Sequence, residues 1–207
     1  MRPLKFVKAW ARRYVLGVQA GQILRRIHAL PAPTGVPNWA ERFGAKIERK
    51  LRAYAACPLR YDEDAPLLDA VARLRPLIAD RPQSFQHGDY HVGNMLLSPE
   101  GGVSVIDFNR ADCGDPWEEF NRVVWSAQAS PSFARGQVDG YFDGAPPERF
   151  WSLLQLYIGV NALSALPWSI SFGAREIATA RLQFADIRAW YDDFRTVLPR
   201  WYHSSGA

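Results

Sequence analysis

The length, composition and charge of this chain are those of a globular protein with its own core. It has 207 residues, of which 48% are hydrophobic and 22% are charged, with a net charge of +4. This composition excludes a disordered chain, and the two cysteines, Cys57 and Cys113, exclude a disulfide scaffold and a cysteine-rich metal site. We therefore expect a reduced, cytoplasmic protein.

Charge is unevenly distributed along the chain. Residues 1–86 contain 16 Lys and Arg against 7 Asp and Glu, whereas residues 87–207 contain 9 against 14. The basic residues of the first half lie at helical spacings among apolar positions, which predicts solvated helix faces and no nucleic-acid partner. The acidic second half favours metal ions and cationic substrates.

Most of the predicted elements are helices. Apolar residues recur at helical spacing, and proline or an N-cap residue marks most of the boundaries. In chain order the predicted helices cover residues 14–30, 39–54, 64–76 with a kink at Pro76, 117–124, a segment starting at 130–131, 146–166 and 175–198.

One segment raises the possibility of a membrane span. The 25 residues Phe150–Ala174 carry no charge, which is long enough to cross a bilayer. Gln155, Asn161, Pro167 and four serines lower the hydrophobicity of this segment. We therefore predict a buried core helix and no membrane partner. The first residues lack an apolar stretch long enough for a signal peptide.

Two strands are predicted, and both lie in the middle of the chain. Residues 94–97 and 103–106 flank the loop 98–102, which predicts a β-hairpin. Antiparallel pairing centred near residue 100 or 101 places Asn94 opposite Asp107 to within one residue.

The hairpin brings together side chains that suit a magnesium site. Carboxylate and amide oxygens such as those of Asp107 and Asn94 are ligands that Mg²⁺ takes, together with water and phosphate oxygens. Asp89 precedes Asn94 by five residues and can reach the same space without sharing the metal, which suits a general base or an orienting group. Asp115 and Glu118, by contrast, match a capping-box variant, which predicts a structural role.

Three linked segments resemble the aminoglycoside phosphotransferase family. They are His87-Gly88-Asp89-Tyr90-His91-Val92-Gly93-Asn94, then Val105-Ile106-Asp107-Phe108, then Gly114-Asp115-Pro116-Trp117-Glu118. The match covers about 40 residues, from His87 to Trp125. The predicted helix over residues 14–30 also resembles the helix that follows the hinge in this family.

The resemblance implies roles for individual residues. It implies that Asp89 is the catalytic base or hydroxyl-orienting residue, and that Asn94 and Asp107 bind the nucleotide and its Mg²⁺. His91 occupies the place of a phosphate-contacting lysine in protein kinases, whereas His87 is expected to hold the catalytic loop in place. The implied cofactors are ATP or GTP and Mg²⁺, and the implied partner is a small hydroxyl-bearing substrate.

The resemblance also implies a fold class. We expect a mainly α protein with one small β-hairpin, the C-terminal helical lobe of a protein-kinase-like phosphotransferase with the N-terminal β lobe absent. No Gly-x-Gly-x-x-Gly occurs, and Lys5 and Lys8 flank Phe6-Val7 without a convincing strand. We expect residues 1–10 to be a hinge remnant or irregular start. Residues 11–207 would then be a single lobe with the catalytic loop and metal-binding hairpin at 87–109.

Three interpretations of the function remain open. The first is a phosphotransferase with a truncated chain, whose family function is ATP-dependent phosphorylation of a small molecule such as an aminoglycoside, another amine or a sugar. The second is a catalytically inactive lobe that acts as a binding protein and self-associates through the face left bare. The third is an unrelated helical protein with a coincidental metal site. For an amine-bearing substrate, the acidic candidates are Glu119, Asp139 and Asp143.

Overall fold

The computed structural model describes residues 2–3, 10–99 and 101–203. Of the predicted irregular start at 1–10, only residues 2, 3 and 10 are described, so Lys5 and Lys8 lie outside the described residues. The α-helices are α1 (Trp10–His28), α2 (Trp39–Ala55), α3 (Ala65–Leu74), α4 (Val123–Ala129), α5 (Pro131–Phe142), α6 (Glu148–Ile170), α7 (Ala174–Trp190) and α8 (Arg200–His203). The strands are β1 (Arg2–Pro3), β2 (Ser84–Gln86), β3 (Met95–Leu97), β4 (Val103–Val105) and β5 (Asp112–Gly114).

The helix boundaries follow from local chemistry. The side chain of Asn38 accepts a hydrogen bond from the backbone N of Glu41 and caps α2. Ser130 caps α5 in the same way, and Pro131 follows it at the first helical position. At Pro76, where a kink was predicted, α3 passes into the 3₁₀ turn Arg75–Ile78, because proline lacks the N–H that an α-helix needs.

The prediction for the last long helix was wrong at its C-terminal end. It was expected to reach Leu198, but α7 ends at Trp190. Asp192, Asp193 and Phe194 have φ angles of 50°, 52° and 64°, in the left-handed region that an α-helix excludes. The Arg188 Nε donates to Asp193 Oδ1 at 2.8 Å and holds this turn against the helix end.

The strands form two small antiparallel sheets. In the first, β3 lies between β1 and β4, and Met95 pairs with Val105. The backbone N of Ile106 donates to the carbonyl of Asn94 at 3.0 Å, so Asp107 lies one residue beyond the partner of Asn94, within the predicted uncertainty. In the second sheet, β2 pairs with β5, two strands that the sequence analysis did not predict.

Helix α6 lies at the centre of the hydrophobic core. It contacts α2, α3, α7 and the 3₁₀ turn Glu118–Arg122. By length and composition α6 could cross a membrane, but 67% of its most apolar stretch is buried inside the protein, as in the core helix of a globular fold. This burial agrees with the predicted core helix.

Helices α1 and α5 cross in close backbone contact. Glycines recur four residues apart on both helices, at positions 17 and 21 in α1 and 136 and 140 in α5. A Cβ on Gly17 would overlap the carbonyl of Phe133, and a Cβ on Gly140 would overlap that of Val18. The two backbones therefore approach closely only because all four positions lack a side chain.

Candidate active site

The loop between β2 and β3 contains the predicted catalytic residues, and Glu119 holds its first turn. Glu119 is buried and accepts hydrogen bonds from the backbone N of His87, at 2.9 Å, and of Gly88. The Nε2 of His28 lies 3.0 Å from the same carboxylate, and the Nδ1 of His28 lies 3.0 Å from the Tyr141 hydroxyl. The start of the loop is thus fixed to α1 and α5 through one buried carboxylate.

His87 connects this loop to the segment that carries Asp107. Its Nε2 donates to the carbonyl of Ile106 at 3.0 Å, and its Nδ1 accepts from the backbone N of Asp89 at 3.2 Å. These two bonds require the neutral ring with its proton on Nε2. The contacts fit the predicted role of His87 in holding the loop.

Gly88 has to be a glycine. Its φ of 83° is in the left-handed region, and a Cβ at this position would overlap the carbonyl of Arg110. The close approach brings the Asp89 turn and Arg110 side by side.

Asp89 points into a cavity and lies next to two arginines and a histidine. Its carboxylate is 17% exposed and lies 3.2 Å from Arg122 Nε, 3.7 Å from His91 Nε2 and 3.8 Å from Arg110 Nη1. The cavity, of about 500 Å³, is bounded by this loop and by α4, α6 and α7. We call it the Asp89 cavity. Its lining also includes Trp125, Asn161, Ser164, Trp168, Glu176 and Gln183.

Asn94 and Asp107 lie at the open end of the hairpin. The Nδ2 of Asn94 donates to the carbonyl of Asp89 at 3.0 Å, which leaves its Oδ1 as the atom suited to a cation. Asp107 is exposed, has a φ of 66°, and accepts from Asn109 Nδ2 at 2.7 Å. In the described part of the chain no three His, Cys, Asp or Glu side chains form a metal site. One carboxylate and one amide, however, fit Mg²⁺, which completes its shell with phosphate oxygens and water.

His91 is a neutral hydrogen-bond donor next to Asp89. Its Nδ1 accepts from the backbone N of Gly93 at 2.9 Å, so the proton lies on Nε2. Burial lowers the pKa of His91 below its usual value, which outweighs the opposing effect of the Asp89 charge. The ring is therefore uncharged at neutral pH.

The three acidic residues that we considered for an amine substrate do not line the Asp89 cavity. Glu119 is occupied by the loop amides. Asp139 accepts from the hydroxyls of Tyr14 and Tyr202 at 2.9 and 2.7 Å, and Asp143 is an exposed residue paired with Arg25. The structure instead places Glu176 at that cavity.

Asp115 has a structural role, as predicted, but it does not cap a helix: residues 118–122 form a 3₁₀ turn whose N-cap position is Trp117, and α4 begins at Val123. Asp115 is fully buried and accepts two hydrogen bonds from Arg81, both 2.8 Å, and one from the backbone N of Trp117 at 3.0 Å. The hydroxyl of Tyr157 also donates to it. Glu118 pairs with Lys46 at 3.3 Å.

Sequence reasoning missed the role of Arg122 and Arg110. Both arginines reach Asp89 from segments that are far from it in sequence, Arg122 from the turn before α4 and Arg110 from the loop after Asp107. No local pattern distinguishes such an arginine from a surface residue.

Comparison with known proteins identifies the family. The sequence model of the phosphotransferase enzyme family, the aminoglycoside phosphotransferases and their relatives, matches residues 8–151. This chain belongs to that family. The resemblance based on His87–Asn94 and the following segments is confirmed.

A curated relative of this phosphotransferase family member is consistent with the family match. An aminoglycoside 3'-phosphotransferase from Escherichia coli is 26% identical over 135 residues, 61% of this chain and 49% of the relative. The chain therefore spans about half the length of that curated relative.

Solved structures confirm the protein-kinase-like helical lobe. A choline/ethanolamine kinase family protein from Mesorhizobium loti matches with a TM-score of 0.66 at 16% identity, over 88% of this chain and 64% of that one. The GDP complex of an aminoglycoside 2'-phosphotransferase-IIIa matches with a TM-score of 0.62 at 14% identity, over 90% and 65%. At these identities the likeness shows the fold.

Proposed function

We propose that this chain carries the catalytic lobe of a kinase that transfers the γ-phosphate of ATP or GTP to a hydroxyl of a small molecule. The observation that carries the proposal is the arrangement around Asp89. Its carboxylate faces a cavity, and its own carbonyl is bonded to Asn94, beside the hairpin end that bears Asp107. A proton acceptor, a substrate space and two oxygen ligands are thus adjacent.

Each residue has a task in this proposal. Asp89 orients the acceptor hydroxyl and takes its proton, while Arg122 and Arg110 hold the carboxylate in place. Asn94 and Asp107 would hold Mg²⁺, which would neutralise phosphate charge on the nucleotide. His91, neutral and with its proton on Nε2, donates a hydrogen bond toward the transferred phosphate.

The competing interpretation, an inactive lobe that self-associates, has one supporting observation. Ile106 and Phe108, on either side of Asp107, are 41% and 43% exposed. Self-association through them remains a prediction, which sedimentation velocity of the purified chain would check.

Nucleotide binding is the first test of the proposed function. We expect calorimetry to show saturable binding of ATP or GTP that requires Mg²⁺ and is lost in Asp107→Asn. Asparagine tolerates a positive φ, so this change removes the charge without straining the backbone. A folded chain that binds neither nucleotide with Mg²⁺ would refute the proposal.

Phosphotransfer is the second test. With a panel of hydroxyl-bearing acceptors, Asp89→Asn is expected to lower kcat by about 10²–10⁴-fold, the usual contribution of a general base. The matched control is Asp62→Asn, whose carboxylate is 94% exposed. The control should retain full activity.

A further inference from the structure

A second cavity, of about 610 Å³, lies on the other side of the catalytic loop. It is lined by α2, by Gln86 at the end of β2, by Gly88 of the loop, by the Arg110–Asp112 segment and by the turn before α4. Its charged lining is strongly basic. The cations are Arg42, Lys46, Arg49, Lys50, Arg110 and Arg122, and the anions are Asp112 and Glu118. We call it the basic cavity.

Helix α2 supplies four of these cations from one side. Arg42, Lys46 and Lys50 are spaced four residues apart, so they lie above one another on the helix surface. The buried residues Phe43, Ile47 and Tyr54 fix the orientation of the helix against the core. Like charges at this spacing destabilise a helix by about 0.2–0.5 kcal/mol per pair, so an anion bound between them would relieve a repulsion.

The protein neutralises this cavity only in part, since Arg110 and Arg122 pair with Asp89. Arg42 lies 3.4 Å from Asp112, and Lys46 lies 3.3 Å from Glu118. Arg49 and Lys50 have no ion-pair partner among the described residues.

The environment of Lys50 is unfavourable for its positive charge. Lys50 is half-buried, and burial together with the neighbouring Lys46 lowers the pKa of its ammonium group to about 7. The nearby Glu118 opposes this shift without overcoming it. An anionic ligand would favour the charged form of this partly buried group, because it supplies the missing counter-charge.

The basic cavity adjoins the Asp89 cavity. Arg110, Arg122 and Asn161 line both. A small molecule with its hydroxyl at Asp89 can therefore place another group among the cations of α2. The same charges would repel a polycationic aminoglycoside.

We propose that the basic cavity binds a phosphate or carboxylate group of the acceptor, so that the substrate of this chain is an anionic hydroxyl compound. This inference rests on the proposed function for the acceptor's role. The anion site itself can be tested without phosphotransfer.

The first experiment measures anion binding to the 207-residue chain without nucleotide or metal. Inorganic phosphate and pyrophosphate are titrated into the protein by calorimetry. The double variant Arg49→Gln/Lys50→Gln is expected to bind pyrophosphate about tenfold more weakly or worse, since it loses two charge-assisted contacts. Equal affinity of the variant and the parent chain would overturn the proposal.

The control removes the same net charge elsewhere. Arg12 on α1 and Arg52 on α2 are exposed and line neither cavity. Arg12→Gln/Arg52→Gln is expected to bind pyrophosphate with unchanged affinity. If it weakens binding as much as the cavity variant does, the effect is one of overall charge and the proposal fails.

The second experiment distinguishes the acceptor's anion from the nucleotide's phosphates. Ribose 5-phosphate is expected to be a better acceptor than ribose, and the difference in kcat/KM should disappear in Arg49→Gln/Lys50→Gln. Mg²⁺–ATP affinity should be unchanged in that variant, and a parallel loss would overturn the proposal. The anion site and the proposed function can also fail separately. If pyrophosphate binding depends on Arg49 and Lys50 but the chain phosphorylates no acceptor, the anion site is supported and the proposed function is refuted.

Discussion

Asp115 is a buried carboxylate whose four hydrogen bonds join distant parts of the chain. It accepts from Arg81, which precedes β2, from Tyr157 on α6 and from the backbone of Trp117. Burial and the Asp115 charge raise the pKa of Tyr157 above its usual value, so the phenol stays protonated and donates. Every partner is satisfied as long as the carboxylate is present.

Removing that carboxylate should therefore be costly. Asp115→Ala leaves the buried Arg81 without a counter-ion, and we expect it to lower the free energy of unfolding by about 3–5 kcal/mol. Urea denaturation checks this value. Asp112→Ala removes a carboxylate that is 65% exposed, and its cost should stay below about 1 kcal/mol. Equal losses would show that the Asp115 network contributes little.

The motif residues of the site were predictable, whereas their neighbours were not. Asp89, Asn94 and Asp107 occur in short patterns with fixed spacing, and the hairpin is a local structure that brings two of them together. Arg122 reaches Asp89, and the cations of α2 line the adjoining basic cavity, only through tertiary packing. Their spacing on α2 predicted a solvated face, because a single sequence does not show what lies opposite a helix.

The crossing of α1 and α5 depends on four glycines. Alanine is a better helix former than glycine by about 0.5–1 kcal/mol, so Gly140→Ala would be stabilising in an isolated helix. Here the added methyl group would overlap the backbone of Val18 and force the helices apart. We expect a net loss of about 1–3 kcal/mol in the free energy of unfolding, measured by urea denaturation.

Gly44 provides the matched control for that change. It lies in the interior of α2, and a Cβ there would meet nothing within 4 Å. Gly44→Ala should therefore stabilise the protein by about 0.5–1 kcal/mol. If Gly140→Ala and Gly44→Ala change the free energy of unfolding in the same direction, close backbone contact is not what constrains Gly140.

The helices and the β3–β4 hairpin were largely predicted, whereas β2 and β5 were not. Apolar periodicity and capping residues identified the helices from α1 to α7. The prediction for residues 117–124 was wrong in its first part, where residues 118–122 form a 3₁₀ turn and α4 begins at Val123. Strands β2 and β5 have three residues each, and no short turn connects them in the sequence, unlike β3 and β4. The end of α7 was misplaced because Tyr191, Phe194 and Leu198 continue its apolar spacing after the backbone has left the helix.

Lys50 links the stability of the whole molecule to pH. Its pKa falls from 10.5 to about 7 on folding. Between these values the unfolded chain holds more protons than the folded one, so this group's contribution to stability rises with pH. The charged groups that surround it are Lys46 and Arg49 on α2, and Glu118 and Arg122 on the turn opposite.

Lys50→Met should therefore stabilise the protein most at a pH at which the lysine is charged in both the folded and the unfolded chain. We expect the gain in unfolding free energy to be largest below about pH 7 and to shrink steadily toward about pH 10. Urea denaturation of both proteins across this range measures it. A gain in unfolding free energy that is independent of pH would show that the effect comes from side-chain packing and not from the charge of Lys50. The same substitution should weaken anion binding, so the protein would gain stability and lose affinity for its ligand.

The distance along the chain between α1 and α5 has a consequence during synthesis. Tyr14 on α1 donates to Asp139 on α5, 125 residues later. At roughly 5–20 residues per second, a ribosome needs about 6–25 s to deliver the second helix after the first. For that time the face of α1 that packs against α5, with its glycine backbone, has no native cover. The nascent chain thus exposes this face early in translation, and the order of synthesis rather than the final fold sets how long it does so.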